Sequence, residues 1–359
     1  MKKKMITTLK FIIVIALMVL IIVHKNNTPR ILVIHSYNVD YSWTRDVNIG
    51  LNRKLKGNHD IIVRFHYMDL KTNPGEEFRR KAKATAHKLI QTWRPDIIIL
   101  FDDRAQELVA KNTCREDKQE PNFKEYNDIH IVFGGVNSRK DCYDYGTNKV
   151  TGIFERKPLE ALRQLLIQIG RNRKLEKPKI AFLGDESPSI KSEISTYSQF
   201  RWKDLVWLGD KQVNTLEKWG KQVEELSLQA DILLVTNYRQ LKENKKEETN
   251  FVEPKKVMMK TLQNFKRDGF QLPVVGMNYF NVDDGAPIAV GPSPYEQGSE
   301  AGEAALQIAR GTKTGGSIPV KKTRQFIISI KKDELDKCQI KLPPIYEAFA
   351  RATGNFKED

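Results

Sequence analysis

Short aliphatic runs alternate with amphipathic stretches along the first half of the chain. The first run, from Ile31 to Ile34, holds four consecutive aliphatic residues and suits a strand buried on both faces of a parallel sheet. Strands that alternate with helical patterns are typical of βαβ units. The predicted strands are residues 31–35, 61–67, 96–101, 129–133 and 150–154, and the predicted helices are residues 47–55, 76–93 and 105–112.

The same pattern restarts in the second half. Two βα series of comparable length predict an α/β protein with two similar lobes and a junction near residues 150–178. No sequence repeat accompanies them, so the similarity is one of architecture. The predicted strands are residues 179–183, 204–208, 232–236 and 273–276, and the predicted helices are residues 159–169, 189–200, 215–228 and 254–268.

The helix predicted over residues 293–310 carries a face of small residues, between strands predicted at 287–290 and 325–330. A helical glycine costs about 1 kcal/mol relative to alanine, so two of them predict close packing against a neighbouring element. Gly311 then ends the helix as a C-cap. The small residues are Gly298, Ala301, Gly302, Ala304 and Ala305.

The N-terminus predicts export of the chain. Lysines at positions 2–4 precede an apolar run over residues 11–23, an order that directs the following chain out of the cytoplasm. No small-x-small cleavage pair and no cysteine for lipidation follows the run, which favours an uncleaved signal anchor over residues 1–28 rather than a cleaved signal. We therefore expect a domain on the extracytoplasmic face of a bacterial membrane.

Composition narrows the possible partners. The chain has 359 residues, 40% of them hydrophobic, and a formal net charge of +15. Such a charge attracts anionic ligands, lipid head groups or nucleic acid. The Lys and Arg residues are spread along the chain and no nucleic-acid motif is present, so no nucleic-acid partner is predicted. Whether Cys114 and Cys142 form a disulfide stays open, because their separation cannot be read from sequence.

Motifs for catalysis are absent from the sequence. The chain contains no Walker A, G-x-G-x-x-G, G-x-S-x-G or H-E-x-x-H motif, and its cysteines match no zinc spacing. His35 with Asp69 or Asp102 suits an acid–base pair, but nothing marks a nucleophile. No catalytic residue, metal site or cofactor is therefore predicted.

Small and polar residues recur where the predicted strands end, in both halves of the chain. Each segment alone is weak evidence, because turns favour Gly, Asn and Asp. Their recurrence matters more, since these ends open at one edge of a parallel sheet and two facing edges form a cleft. The segments are residues 35–37, 67–69, 102–103, 134–137, 184–185, 236–238 and 276–279.

Several of these side chains have a structural interpretation as well as a ligand-binding one. Ser36 and Tyr37 suit hydrogen bonding and stacking with a solute, or a helix N-cap and a packed ring. Trp43 favours packing against the first helix. Asp102 and Asp103 suit a cation or an amine, or a helix cap.

The sequence resembles the extracytoplasmic substrate-binding proteins of ABC transporters, in particular the branch whose domains also serve as sensory inputs of bacterial signalling proteins. The order and spacing of several segments carry this resemblance, which covers roughly residues 30–335. In lobe 1 they are residues 31–37, 41–43, 67–69, 95–103 and 132–137, and near the end of the chain they are residues 285–286, 295–298, 301–302, 310–311 and 318–319.

The resemblance implies a type I periplasmic-binding-protein fold, in which two Rossmann-like lobes are joined by three crossings and close like a hinge. It places residues 29–150 with 286–318 in lobe 1, residues 151–285 with 319–335 in lobe 2, and residues 336–359 in a tail. The ligand contacts that it implies are Ser36, Tyr37, Asp103, Asn137, Asp185, Asn237 and Asn278.

The function implied is non-catalytic binding of a small solute between the lobes, for ABC-type uptake or for signalling. The partners would be the solute, an ABC permease or a membrane signalling protein, and the membrane through the N-terminal helix. Two alternatives stay open: an anchored interaction module with a basic surface and a vestigial cleft, and an anchored transferase.

Overall fold

The computed structural model describes residues 10–18, 28–73, 75–109, 111–112, 128–138, 143–144, 148–243 and 251–358. Cys114 and Cys142, and most of the predicted signal anchor, lie outside these ranges. Residues 10–18 form helix α1, whose apolar side chains are exposed. Among the helices that the structure describes, none combines the length and the apolar character that crossing a membrane requires.

The first sheet belongs to lobe 1. Its strands are β1 (Arg30–His35), β2 (Ile62–Tyr67), β3 (Ile97–Phe101), β5 (His130–Val136) and β7 (Val150–Phe154), which pair in parallel in the order β7-β5-β3-β1-β2. Helices α2 (Ser42–Leu55), α3 (Glu76–Trp93) and α4 (Asp103–Val109) connect them, and the short strands β4 (Lys111–Asn112) and β6 (Tyr143–Asp144) pair separately.

The second sheet belongs to lobe 2. Its strands are β8 (Lys179–Asp185), β9 (Val206–Val213), β10 (Ile232–Val235), β13 (Val274–Gly276), β14 (Ile288–Pro292), β16 (Phe326–Lys331) and β17 (Phe356–Lys357). Their order is β17-β16-β14-β13-β10-β8-β9, and β16 runs antiparallel to β14. The helices are α5 (Leu159–Asn172), α6 (Pro188–Gln199), α7 (Leu216–Ser227) and α8 (Pro254–Asn264), and β11 (Lys266–Arg267) pairs with β12 (Phe270–Gln271).

Both sheets are covered on both faces. Along β1, Leu32 and Ile34 pack into one hydrophobic core, whereas Ile31 and Val33 pack into the core on the opposite face. Lobe 2 likewise has one core on each side of its sheet. The predicted α/β class with parallel sheets is therefore confirmed, because continuous aliphatic strands require a helical layer on each side.

The chain crosses between the sheets near the predicted junction and twice more near its end. Residues 155–158 lead from β7 to α5. Helix α9 (Pro294–Ala309) follows β14 and packs on α2 of lobe 1, and β15 (Lys321–Lys322) pairs with β7 before β16 returns to lobe 2.

The lobe assignment near the chain end differs from the one that the resemblance implied. Residues 286–318 were expected in lobe 1, but β14 pairs with β13 and β16 of the second sheet. The segment 336–359 was expected as a separate tail, yet Tyr346 and Phe349 of α11 (Pro344–Ala352) pack on the lobe 2 core and β17 extends its sheet. Pairing partners distant in sequence decide these placements.

Helices α9 and α2 are in backbone contact. A Cβ atom built on Gly298 would lie 1.9 Å from the carbonyl oxygen of Val47, and one built on Gly50 would lie 2.1 Å from the carbonyl oxygen of Tyr295. No side chain fits at either position, so the close packing predicted from the small-residue face is confirmed.

The neighbouring residue Gln297 links the crossings to lobe 1. Its side-chain carbonyl accepts a hydrogen bond from the Gly135 backbone at 2.8 Å, and its amide donates to the Thr323 hydroxyl at 2.8 Å. A second link joins the lobes directly, since the buried Tyr279 hydroxyl donates to Asp46 of α2 at 2.6 Å. These buried bonds fix where lobe 2 leaves lobe 1.

We expect Gly298→Ala to destabilise the protein by about 3 kcal/mol or more, because the added methyl meets a backbone carbonyl that cannot rotate away. Gly302→Ala in the same helix is the control, since its Cβ would meet no atom closer than 3.1 Å, and the nearest backbone atom, the Leu51 carbonyl oxygen, would lie 3.3 Å away. Urea denaturation of both variants measures the difference. Equal stability of the two variants would contradict the backbone contact.

His35 is completely buried in lobe 1. Its ring stacks between Tyr67 and Phe101, with ring centres 5.2 Å and 4.8 Å away, and its Nε2 atom lies 2.9 Å from the Asn48 side-chain oxygen. Burial lowers the pKa of His35 from 6.5 to about 3, although the Asn48 bond opposes the shift. The imidazole is therefore neutral in the folded protein at every pH above that value.

Acid should destabilise the protein through His35. The unfolded chain takes up a proton at His35 below about pH 6.5 while the folded chain does not, so this residue removes about 2 kcal/mol of stability between pH 7 and pH 5. We expect His35→Gln, whose amide can still donate to Asn48, to lose about 2 kcal/mol less free energy of unfolding than the wild type between pH 7 and pH 5. Urea denaturation at both pH values tests this, and identical pH dependence would contradict it.

Candidate functional site

A cleft of about 1030 Å³, open to solvent, lies between the carboxyl-terminal ends of the two parallel sheets. Residues that follow β1, β2, β3, β5 and β7 line it from lobe 1, and residues that follow β8, β10 and β13 line it from lobe 2. Five of the seven strand-end segments singled out in the sequence contribute residues to this lining, as the edge rule for parallel sheets predicts, whereas segments 67–69 and 184–185 do not.

Aromatic rings form one part of the cleft wall. The rings of Tyr37 and Tyr41 in lobe 1 meet edge to face, with centres 5.2 Å apart. The ring centre of Phe280, which follows β13 of lobe 2, lies 6.3 Å from the ring centre of Tyr41, so the two rings pack in one cluster. Trp43 is only 5% exposed and packs in the lobe 1 core, as its sequence context favoured, although one side of it still faces the cleft.

Lys71, in the loop after β2, lies over this aromatic wall. Its ammonium donates a hydrogen bond to the Tyr41 hydroxyl at 2.7 Å and lies 4.3 Å from the centre of that ring. It also lies 5.0 Å from the centre of the Tyr37 ring. Cation–π attraction therefore holds a positive charge in the cleft without a carboxylate partner among the described residues.

Asp102 is a buried carboxyl at the end of β3. Its φ of 69° lies in the left-handed region, which is strained for a residue with a side chain. The carboxyl is buried, and the buried indole N–H of Trp43 is its hydrogen-bonding neighbour, which favours the charged form. Burial raises the pKa of Asp102 well above its usual range, and Glu155 and Asp103 raise it further.

Asp103 lines the cleft, but its carboxylate binds the loop after β5. Its two oxygens accept the backbone N–H groups of Asn137 and Ser138 at 2.9 and 3.0 Å, and Oδ1 also accepts the Tyr143 hydroxyl at 2.9 Å. Asp103 therefore shapes the cleft by holding this loop in place.

Ser36 and Asp185 lie behind the cleft wall, where both are fully buried. The Ser36 hydroxyl donates to the Phe101 carbonyl and accepts the Ala105 N–H, each at 2.8 Å. Asp185 accepts the backbone N–H groups of Ser187 and Gln240, each at 3.0 Å. Both side chains are engaged by the scaffold, which is their structural interpretation.

The other expected contact residues, Tyr37, Asn137, Asn237 and Asn278, do line the cleft together. The Asn137 amide donates weakly to Glu155 at 3.4 Å, so it can turn toward a ligand at small cost. Asn278 is more constrained, because its amide donates to Thr236 at 2.9 Å and its oxygen accepts from Lys157 at 2.5 Å.

A buried ion cluster lies where lobe 1 crosses to lobe 2. The Lys157 ammonium is 3.3 Å from Glu155 and 3.8 Å from Glu193, and these side chains are at most 11% exposed. Burial alone lowers the pKa of Lys157, but Glu193 and Glu155 outweigh burial and raise it. Burial raises the pKa of Glu155, against the effect of Lys157.

Arg239 presents a second cationic group from lobe 2. Its guanidinium donates to Asp284 at 2.7 Å and stacks over Phe280 at 4.8 Å from the ring centre. The Nε atom is buried and has no acceptor among the described residues. Asp284 is fixed in turn by the Tyr238 hydroxyl, which donates to it at 2.6 Å.

The sequence reasoning missed Lys71, Lys157, Arg239 and Phe280. Lys71, Arg239 and Phe280 lie one or two residues beyond strand-end segments that were recognised, so widening those segments would have found them. Lys157 lies three residues after the predicted strand 150–154, whose end was not among the segments. Within the ranges that the structure describes, no group of three His, Cys, Asp or Glu side chains suits a metal ion.

Neither a protein-family model nor a curated protein matches the chain. Solved structures do match over most of its length. The ABC domain from Streptococcus pneumonia, in complex with L-Trp, is 14% identical, with 90% of this chain and 98% of that chain covered and a TM-score of 0.58. A ligand-free, open substrate-binding protein with adhesive properties from Clostridium difficile is 15% identical, with 92% and 98% covered and a TM-score of 0.56.

A carbohydrate transporter solute-binding protein from Agrobacterium radiobacter, in complex with D-arabinose, is 11% identical, with 89% and 98% covered and a TM-score of 0.52. These matches extend over both lobes and their crossings. The chain therefore has the type I periplasmic-binding-protein fold, as its sequence resemblance implied.

The ion cluster yields a stability prediction. Lys157→Met leaves Glu155 and Glu193 facing each other without a cation, which should cost about 3–5 kcal/mol at pH 7. The loss should shrink at pH 5, because a carboxyl whose pKa is raised by folding gains stability as it takes up a proton.

The control is Lys221→Met, which removes an exposed ion pair with Glu217 and should change nothing measurable. Urea denaturation at both pH values reads out the difference. A loss that is the same at pH 7 and pH 5 would show that the carboxylates do not cause it.

Proposed function

We propose that this protein binds a small solute in the cleft between its lobes, on the extracytoplasmic side of a bacterial membrane, and performs no chemistry on it. One observation carries the proposal: the carboxyl ends of both sheets face one cleft, whose lining combines aromatic rings with polar and charged side chains of both lobes, among them Arg239, whose buried Nε atom has no acceptor in the described part of the chain.

The energetics of the Arg239 Nε–H support a ligand. A buried donor without an acceptor costs about 1–3 kcal/mol. A solute that supplies the acceptor recovers this cost on binding. The rings of Tyr37, Tyr41 and Phe280 supply apolar contact beside these polar groups, a combination typical of small-molecule sites.

Hinge closure is the expected response to the solute. The lobes are joined by crossings at one side of the cleft, so they can rotate toward each other around the buried contacts of Gln297 and Tyr279. Closure then buries the solute between rings from both lobes. The structural neighbours include solute-binding proteins with L-Trp and D-arabinose bound, which supports a small solute as the class of ligand here.

Delivery to an ABC permease or to a membrane signalling partner is the proposed use of closure. The N-terminal run of residues 1–28, with its lysines and apolar residues, supports attachment to the membrane as an uncleaved anchor. The fold supports the extracytoplasmic location, because its solved relatives include transporter solute-binding proteins.

The arrangement of His35 argues against the transferase alternative. This histidine contacts Asn48 and aromatic rings in the core, and the cleft lining does not include it. Asp69 accepts from Asn38 and Asn73 instead of pairing with a histidine. A turnover that is lost in Asp102→Asn or Asp103→Asn would nevertheless establish an enzyme.

Native mass spectrometry of the gently purified full chain should show a co-purified solute. We expect the double variant Asn137→Ala and Asn237→Ala to lose that solute and its calorimetric binding signal, because it removes an amide from each wall of the cleft. The matched control is Asn52→Ala with Asn264→Ala, one asparagine in each lobe outside the cleft lining.

Unchanged affinity in the cleft variant would show that the solute binds elsewhere. A chain that carries no solute, and whose melting temperature no metabolite of a broad panel raises, would favour the interaction module with a basic surface instead.

A further inference from the structure

The cleft lining contains several charged side chains. Most of its carboxylates already have partners within the protein. Asp103 is bound by backbone N–H groups, and Glu107 lies 3.3 Å from Arg79. Glu155 and Glu193 share Lys157. Burial raises the pKa of Asp102, the remaining carboxyl of the lining, which favours its neutral form.

Lys71 and Arg239, two cationic side chains of the lining, are not fully paired. Within the described residues, Lys71 has no carboxylate partner, and its contacts are the Tyr41 hydroxyl and the tyrosine rings. Arg239 uses one end of its guanidinium for Asp284 and leaves the buried Nε–H without an acceptor. Both side chains therefore retain hydrogen-bond donors for a negatively charged acceptor.

Lys71 comes from lobe 1 and Arg239 from lobe 2, but their charged groups lie near the same part of the cleft. Arg239 stacks over Phe280 at 4.8 Å from the ring centre, and that centre lies 6.3 Å from the centre of the Tyr41 ring. Lys71 lies over the same Tyr41 ring at 4.3 Å, so the two cations cover neighbouring rings. Like charges on facing walls oppose closure, and an anion placed between them removes that opposition.

We propose that the cleft selects a small anionic solute, whose carboxylate or phosphate group binds Lys71 and Arg239 and whose planar body packs on Tyr37, Tyr41 and Phe280. This inference rests on the proposed function and names the class of its ligand. The solute's charge then favours closure, because the acidic group bridges donors of both lobes. The net charge of +15 adds a long-range attraction for the same class of molecule.

Probes with one carbon skeleton and different charge test this on the full chain. Phenylpropionate, phenylpropylamine and phenylpropanol share a ring and a linker, and phenyl phosphate separates a phosphate from a carboxylate preference. We expect one of the two anions to bind at least about tenfold more tightly than the alcohol and the amine in calorimetry, with an affinity that falls as salt is added.

Variants assign the effect to the proposed cation. Lys71→Met should weaken binding of the preferred anion about tenfold and leave the alcohol unchanged, because it removes the charge and keeps the aliphatic stem. Lys56→Met, an exposed lysine outside the cleft lining, should bind like the wild type. Circular dichroism confirms that each variant is folded. Arg239→Gln, if it also stays folded, should weaken binding of the same anion.

The inference is overturned if the alcohol or the amine binds as tightly as both anions, if Lys71→Met leaves anion affinity unchanged, or if neither anion binds at millimolar concentration. Native mass spectrometry separates this failure from failure of the proposed function. A neutral or cationic solute found in the cleft contradicts the anion inference alone. The absence of any cleft solute contradicts both the anion inference and the proposed function.

Discussion

The backbone contact between α9 and α2 anchors the chain crossing that follows β14 to lobe 1. Helix α9 starts directly after a lobe 2 strand and packs on lobe 1 because Gly298 and Gly50 allow the helices to touch. Gln297, one residue earlier, then reaches the Gly135 backbone and Thr323. The loop after β5, which carries Asn137 into the cleft, is therefore held by the same contact that positions the crossings.

The polar residues around the cleft divide into those the scaffold uses and those it leaves available. Ser36, Asp103 and Asp185 saturate their hydrogen-bonding atoms with backbone groups of neighbouring loops. Arg239 keeps a buried Nε–H without an acceptor, and Lys71 keeps an ammonium without a carboxylate partner, in the described part of the chain. Because burial without a partner is costly, these donors are the groups that the proposed solute would engage.

Charge also differs between the cleft floor, where residues 155–158 cross from lobe 1 to lobe 2, and the cleft wall, formed by the rings of Tyr37, Tyr41 and Phe280. At the floor, Lys157 is held between Glu155 and Glu193 and contacts Asn278 of lobe 2, so this cluster joins the lobes and favours one relative arrangement. On the wall, Lys71 is held only by aromatic rings and a hydroxyl. The cation of the floor is thus paired with carboxylates, while Lys71 on the wall has no carboxylate partner among the described residues.

The sequence alone determined most of the longer strands and helices, the α/β class and the sheet edge at which the cleft lies, because strand burial and helix periodicity are local patterns. It also determined the small face of α9, since glycine in a helix has few other uses. The tertiary structure decided which polar side chains reach the cleft. Ser36 finds the Phe101 carbonyl 65 positions away, and Lys157 finds Asn278 121 positions away. Such partners depend on how distant segments are brought together, and no local pattern encodes them.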